Sequence, residues 1–165
     1  MNEENQRKFK IGLLKAENRR KLDSFEKAFL EELGPKELNY LNIENSFLLN
    51  GPKVGVDIVQ ISSGRMSRDN FLELLDSAKK HITDCSCWVF LSNYEYVGGI
   101  QYSLHDFLGN AIKLLSLDKD TVWARLEMDT GIMLDYDGSP LELDGGYELF
   151  VWGRWADECK NLLKR

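Results

Sequence analysis

No stretch of this 165-residue chain is apolar for more than a few residues, far short of the roughly 20 that cross a bilayer as a helix. A leader pattern is lacking too. Met1 to Gln6 reads Met-Asn-Glu-Glu-Asn-Gln, polar and acidic where a positive region and an apolar core are needed. The expectation is a cytoplasmic protein with no membrane partner. Cysteine is scarce and odd in number: Cys85, Cys87 and Cys159 make no disulfide framework and suit a reducing compartment. Histidine is scarcer still, with only His81 and His105 to serve as neutral-pH bases. Nucleophile-elbow, P-loop and dinucleotide-binding glycine patterns are missing, and Gly98-Gly99 and Gly145-Gly146 read as turns. No repeat or low-complexity tract interrupts the chain, and no cofactor is implied.

Lysine and arginine are absent from Leu126 to Gly153, which carries seven acids: Glu127, Asp129, Asp135, Asp137, Glu142, Asp144 and Glu148. The net charge of −6 is unevenly spread. Residues 1–40 hold nine Lys or Arg and eight Asp or Glu, a net of +1, and residues 41–165 hold twelve and nineteen, a net of −7. Such a field disfavours nucleic acid and favours a basic protein partner. The basic positions Arg7, Lys8, Lys10, Lys15, Arg19, Arg20 and Lys21 are diluted by Glu3, Glu4, Glu17 and Asp23, so they read as a solvated helix face.

What is present is ordinary globular composition, 43% apolar and 29% charged, enough for a single domain over residues 1–165. Leu14, Leu22, Phe25, Phe29 and Leu33 predict helix over residues 5–33, stopped by Gly34-Pro35. Residues 1–35 are thus an N-terminal helix or helices, and residues 54–155 the sheet-containing body. Alternation predicts a strand from Val54 to Ile61. Ser67 caps a helix whose buried stripe is Phe71, Leu75, Ala78 and Ile82, with Met66 and Phe71 spaced as a hydrophobic staple. Cys85 to Ser92, apolar on both faces at Trp88 to Leu91, predicts a central strand. A helix beginning at Ser103 buries Leu104, Phe107, Leu108, Ala111, Ile112 and Leu115. Thr121 to Asp129 alternates, with Val122, Ala124, Leu126 and Met128 on one side and Trp123, Arg125, Glu127 and Asp129 on the other. Ile132 to Tyr136 and Tyr147 to Trp152 follow across Asp-Gly turn signals, and Asp157 to Lys164 closes as a short helix. The consecutive last strands imply an α+β fold: one mostly antiparallel sheet with helices packed on it, β-rich in its C-terminal third.

The candidate site is an acidic and aromatic face that binds a partner. Glu127, Asp129, Asp135, Asp137, Asp144 and Glu148 would steer a basic protein, with Tyr136, Tyr147, Trp152 and Trp155 as anchors where exposed. The plainer account is that these acids solvate hairpin turns, since Asp before Gly is turn chemistry. Metal readings are poorer. Asp135-Tyr136-Asp137-Gly138 lacks the third acid of a calcium loop, and the Cys85-Ser86-Cys87 pair with Cys159 is scattered for zinc. Two alternatives stand beside partner binding: a small hydrolase or metal-assisted enzyme using His105 and the hairpin carboxylates, and a scaffold or oligomerisation domain with an apolar patch.

The runs Ser103-Leu104-His105-Asp106-Phe107-Leu108, Asp120-Thr121-Val122-Trp123-Ala124 and Gly146-Tyr147-Glu148-Leu149-Phe150-Val151-Trp152-Gly153 resemble bacterial immunity-type proteins, small α+β partners of secreted polymorphic toxins. The resemblance spans about residues 85–155 and is one of general texture. It implies a non-enzymatic inhibitor of a basic toxin domain and carries over no site residue by position.

Overall fold

Period-two alternation in the C-terminal third leaves one apolar side per strand, and such strands are stable only when paired and covered. The computed structural model describes Arg20, Asp23, Lys27, residues 29–31, Leu33, residues 39–41, Asn45, Leu49, and residues 57–61, 64–91, 98–118, 121–138 and 146–162. Most of the helix expected over residues 5–33, the 36–53 connector, Val54 to Val56 and Asp144 lie outside these. The chain forms two compact units, Met1–Leu38 and Asn39–Arg165. In the first, Arg20, Asp23, Lys27, residues 29–31 and Leu33 are helical, and Phe29 is buried.

The second unit is built on a six-stranded sheet. Its strands are β1 (Ile58–Gln60), β2 (Ser86–Phe90), β3 (Ile100–Ser103), β4 (Thr121–Glu127), β5 (Thr130–Tyr136) and β6 (Tyr147–Trp152), in the order β1-β6-β5-β4-β2-β3. Every pairing is antiparallel, so the α+β expectation holds. β2 is an interior strand, as its two apolar faces imply. The outer side of β3 pairs with residues 39–41: Leu41 N–H donates to the Gly99 carbonyl at 2.7 Å and Gln101 N–H to the Asn39 carbonyl at 2.8 Å. That pairing occupies backbone groups which an edge would leave open.

Helices fully within the described residues are α1 (Arg68–His81), α2 (Leu104–Gly109), α3 (Ala111–Asp118) and α4 (Arg154–Glu158). None of the described helices is long and apolar enough to cross a membrane. The Ser67 hydroxyl accepts from Asn70 N–H, as an N-cap should, and Phe71, Leu75 and Ala78 are the buried stripe of α1. Lys79, Lys80 and His81 fill its last turn, where cations suit the helix dipole. α1 packs on α2 and β6, α3 on β4 and β5, and α4 on β5 and β6.

Three elements differ from their sequence-based expectation. The helix from Ser103 breaks at Asn110, whose side-chain amide donates to the Asp106 carbonyl at 3.0 Å and to the Tyr102 hydroxyl at 3.1 Å. Asparagine offers the backbone such local competitors to helix bonds. Ile100 to Ser103 is a strand and not merely the exit from the Gly98-Gly99 turn. The last helix starts at Arg154, ahead of Asp157, because Gly153 turns the chain sharply out of β6 at φ +64°.

Gly153 also seats α4. A Cβ there would come within 1.9 Å of the Asp129 carbonyl oxygen and 2.7 Å of Thr130 Oγ1. The β4–β5 turn and the start of α4 therefore approach too closely to admit a side chain at position 153, and the Arg154 N–H donates to Thr130 Oγ1 at 3.3 Å. Gly153→Ala adds left-handed strain and a backbone clash, and should lower unfolding free energy by about 2–4 kcal/mol in urea denaturation. A loss under about 0.5 kcal/mol would mean that the turn and α4 are not held in contact.

Candidate partner-binding surface on the sheet

Register assigns each strand residue to a face, because side chains alternate. On one face lie Cys87, Val89, Ile100, Tyr102, Val122, Ala124, Ile132, Leu134, Leu149 and Val151, all buried. This is the helix-side core: Phe71 of α1 stacks on Tyr147 at 5.0 Å, and Tyr147 shares the parity of Leu149 and Val151.

The opposite face carries rows of cross-strand neighbours. One row runs Trp88, Arg125, Gly131, Trp152, Ile58; the next runs Phe90, Trp123, Met133, Phe150, Gln60; the last is Thr121, Asp135, Glu148. Trp88, Trp123, Met133 and Phe150 are half-buried. Asp135 and Glu148 face each other directly across β5 and β6. The Thr121 hydroxyl donates to Asp135 at 2.5 Å, and the Gln60 amide to Glu148 at 2.8 Å. Among the described residues neither carboxylate forms an ion pair.

The expected site residues thus divide. Asp135 and Glu148 come together, with Asp137 just beyond them, where it pairs with Arg65 at 2.5 Å. Glu127 and Asp129 sit at the other end of β5, at the β4–β5 turn. There they line an open groove of about 500 Å³ with Leu126, Thr130, Gly153, Arg154 and Asp157. Tyr136 and Tyr147 are in register with ring centroids 4.5 Å apart, but on the helix-side face, opposite to Asp135 and Glu148. Burial raises the Tyr147 pKa, the neighbouring Tyr136 adds to the rise, and Arg68 opposes it. Trp152 and Trp155 are 1% and 0% exposed, so they are interior side chains and not surface anchors. Asp144 lies outside the described residues.

No family model, curated protein or solved structure matches this chain.

Arg125 departs furthest from expectation. Alternation puts it on one side of β4 with Trp123, Glu127 and Asp129, and it is 1% exposed. Its Nη1 donates to the Met128 carbonyl at 3.1 Å, and its guanidinium lies 4.7 Å from the Trp152 ring centroid. The apolar neighbours that share a face with the acid pair, namely Trp123, Met133 and Phe150, were missed as site residues. Only the strand register could have linked them, through Trp123↔Met133↔Phe150 beside Thr121↔Asp135↔Glu148.

His105 is placed for architecture. Its Nε2–H donates to the Ile82 carbonyl at 2.8 Å, while its backbone N–H donates to Asp84 at 2.9 Å. Asp84 also accepts the Ser103 hydroxyl at 3.0 Å. The structure therefore sets His105 against the α1–β2 connection, with Asp84 and not the hairpin acids as its carboxylate neighbour. Cys87 Sγ donates to the Tyr102 carbonyl at 3.4 Å, and burial pushes its thiol far up. Cys159 is buried and raised to about 11 by desolvation and then by the Glu158 charge. A raised pKa leaves little thiolate for chemistry near neutral pH. Among the described residues no three His, Cys, Asp or Glu side chains gather as a metal set.

Asp84 links this region to pH. Desolvation raises its pKa, but the His105 backbone N–H, the Ser103 hydroxyl, the His105 ring and the Cys85 backbone N–H together outweigh it, and the net shift is downward. A depressed carboxylate contributes stability above its unfolded pKa and loses it as pH falls through the folded value. Asp84→Ala should cost about 1 kcal/mol at pH 7, the scale of a helix cap. The gap between variant and wild type should narrow below about pH 4. A gap in urea midpoints that stays constant from pH 7 to pH 3 would contradict this role.

Proposed function

We propose that this chain is a protein-binding module, an inhibitor of the immunity type, that engages a basic partner through the second sheet face at the Asp135–Glu148 end. The observation that carries the reading is the cross-strand carboxylate pair. Like charges directly opposite each other destabilise a sheet by roughly 0.2–1 kcal/mol, and here no basic residue among the described ones relieves the repulsion. Thr121 and Gln60 hold both carboxylates in place by hydrogen bonds. A lysine or arginine from a partner would neutralise two charges at one point. Met133 and Phe150, paired one step along the same face, supply apolar contact beside the charge, the usual layout of an interface anchor within a polar rim.

Occlusion of a basic toxin's active surface would follow from such binding without catalysis by this chain. The acidic and aromatic face expected from the sequence thus narrows to Asp135, Glu148 and Asp137, with Trp123, Met133 and Phe150 in place of Trp152 and Trp155 as its apolar component.

The test compares three immobilised forms of the protein against lysate and secreted fractions, eluted with a salt gradient. Wild type should retain one basic protein, released steeply as salt rises. Asp135→Asn with Glu148→Gln should retain it at least about tenfold less, a loss near 1.4 kcal/mol. Glu127→Gln with Asp129→Asn, at the distal turn, should behave as wild type. Equal retention by the first two forms would overturn the assignment.

A further inference from the structure

We propose that Arg125 and Trp152 form a binding site for one small monoanion, a halide or a simple carboxylate, held between guanidinium Nη2 and indole Nε1. Both donors are buried, and among the described residues neither has a hydrogen-bond partner. They belong to cross-strand neighbours of Gly131 on the same sheet face. A Cβ on Gly131 would come within 2.2 Å of Trp152 Cζ2 and 2.6 Å of Cε2, so the indole lies across this glycine toward Arg125. The guanidinium stands over the indole face, 4.7 Å from the ring centroid, so the two side chains that carry the orphaned donors are direct neighbours.

The charge decides the class of ligand. An orphaned buried donor needs an acceptor, and a neutral one would suffice for the indole. Arg125 also needs its charge compensated, because isolated buried ions are strongly disfavoured. Among the described residues its hydrogen-bond acceptor is the Met128 carbonyl at 3.1 Å, which carries no formal charge. Burial alone moves its pKa, down to about 10, with no carboxylate opposing the shift. It therefore stays protonated at neutral pH. A monoanion satisfies both donors and the charge together, and only a small one fits beside a side chain that is 1% exposed.

The site stands independently of the partner-binding reading. It is tested on the full chain by thermal unfolding at fixed ionic strength, with sodium gluconate replaced stepwise by sodium chloride or sodium formate. Gluconate is too large to enter. The midpoint should rise and saturate with chloride, formate or both. Stronger action by chloride identifies an inorganic halide as the occupant, and stronger action by formate a carboxylate. Trp152→Phe keeps the ring and removes the indole N–H, and should weaken the apparent anion affinity about tenfold, as for one charge-assisted hydrogen bond. Arg125→Met should abolish the response. If that variant does not fold, Trp152→Phe and a bromide-soaked crystal decide. The crystal should show an anomalous peak within hydrogen-bonding distance of both donors. A midpoint indifferent to all three anions, or an ordered water there with no anomalous signal, would overturn the proposal.

Discussion

The Trp152 indole laid across Gly131 is the contact around which the β4–β5–β6 meander is organised. Any side chain at position 131 would displace it, since an added Cβ meets the ring at 2.2 Å. With the ring in place, Arg125 on the next strand is covered, and its guanidinium turns back to the Met128 carbonyl of the β4–β5 turn. The same turn meets Gly153 through the Asp129 carbonyl. A second glycine therefore allows β6 to leave the sheet and become α4 against that turn. Register along β5 and β6 then runs without a shift from Gly131↔Trp152 to Tyr136↔Tyr147. That register is what sets Asp135 opposite Glu148.

The consequence for electrostatics is a division of the acidic segment. Asp129 and Asp135 are six residues apart along an extended strand, roughly 20 Å at 3.4 Å per residue. The screening length at physiological ionic strength is about 8 Å, so the two ends act as separate local fields. At the turn end, Glu127, Asp129 and Asp157 share their groove with Arg154, and Lys160 pairs with Asp157. At the other end the carboxylate pair stands beside apolar side chains of the same face. There charge and apolar surface share one sheet face, which is what a desolvated contact with a basic side chain requires.

Much of the fold was legible because its signals are local and chemically redundant. Ser67, Phe71, Leu75 and Ala78 mark α1 by cap and stripe together, and Val122 and Ala124 mark β4 by period. Where one residue outweighs its neighbours, the pattern fails. Asn110 breaks a helix whose apolar stripe continues unbroken, because its side chain competes for the Asp106 carbonyl. β3 has only four residues, too few for alternation to show. Arg125 could not be recognised as buried from β4 alone, since its cover comes from Trp152, twenty-seven positions later. The site was half legible for the same reason. Acid content is a property of the segment, but which acids meet, and on which face, depends on pairing between strands. Tyr136 and Tyr147 do meet, yet alternation puts them on the face opposite to Asp135 and Glu148.

The most direct test of the central claim is backbone hydrogen–deuterium exchange of the chain, alone and saturated with the basic protein it retains. The account predicts added protection along residues 133–137 and 146–150, with little change at the Met128–Asp129 turn. Protection concentrated at that turn and in α4, with residues 133–137 unaffected, would contradict it and move the partner surface to the opposite end of the sheet.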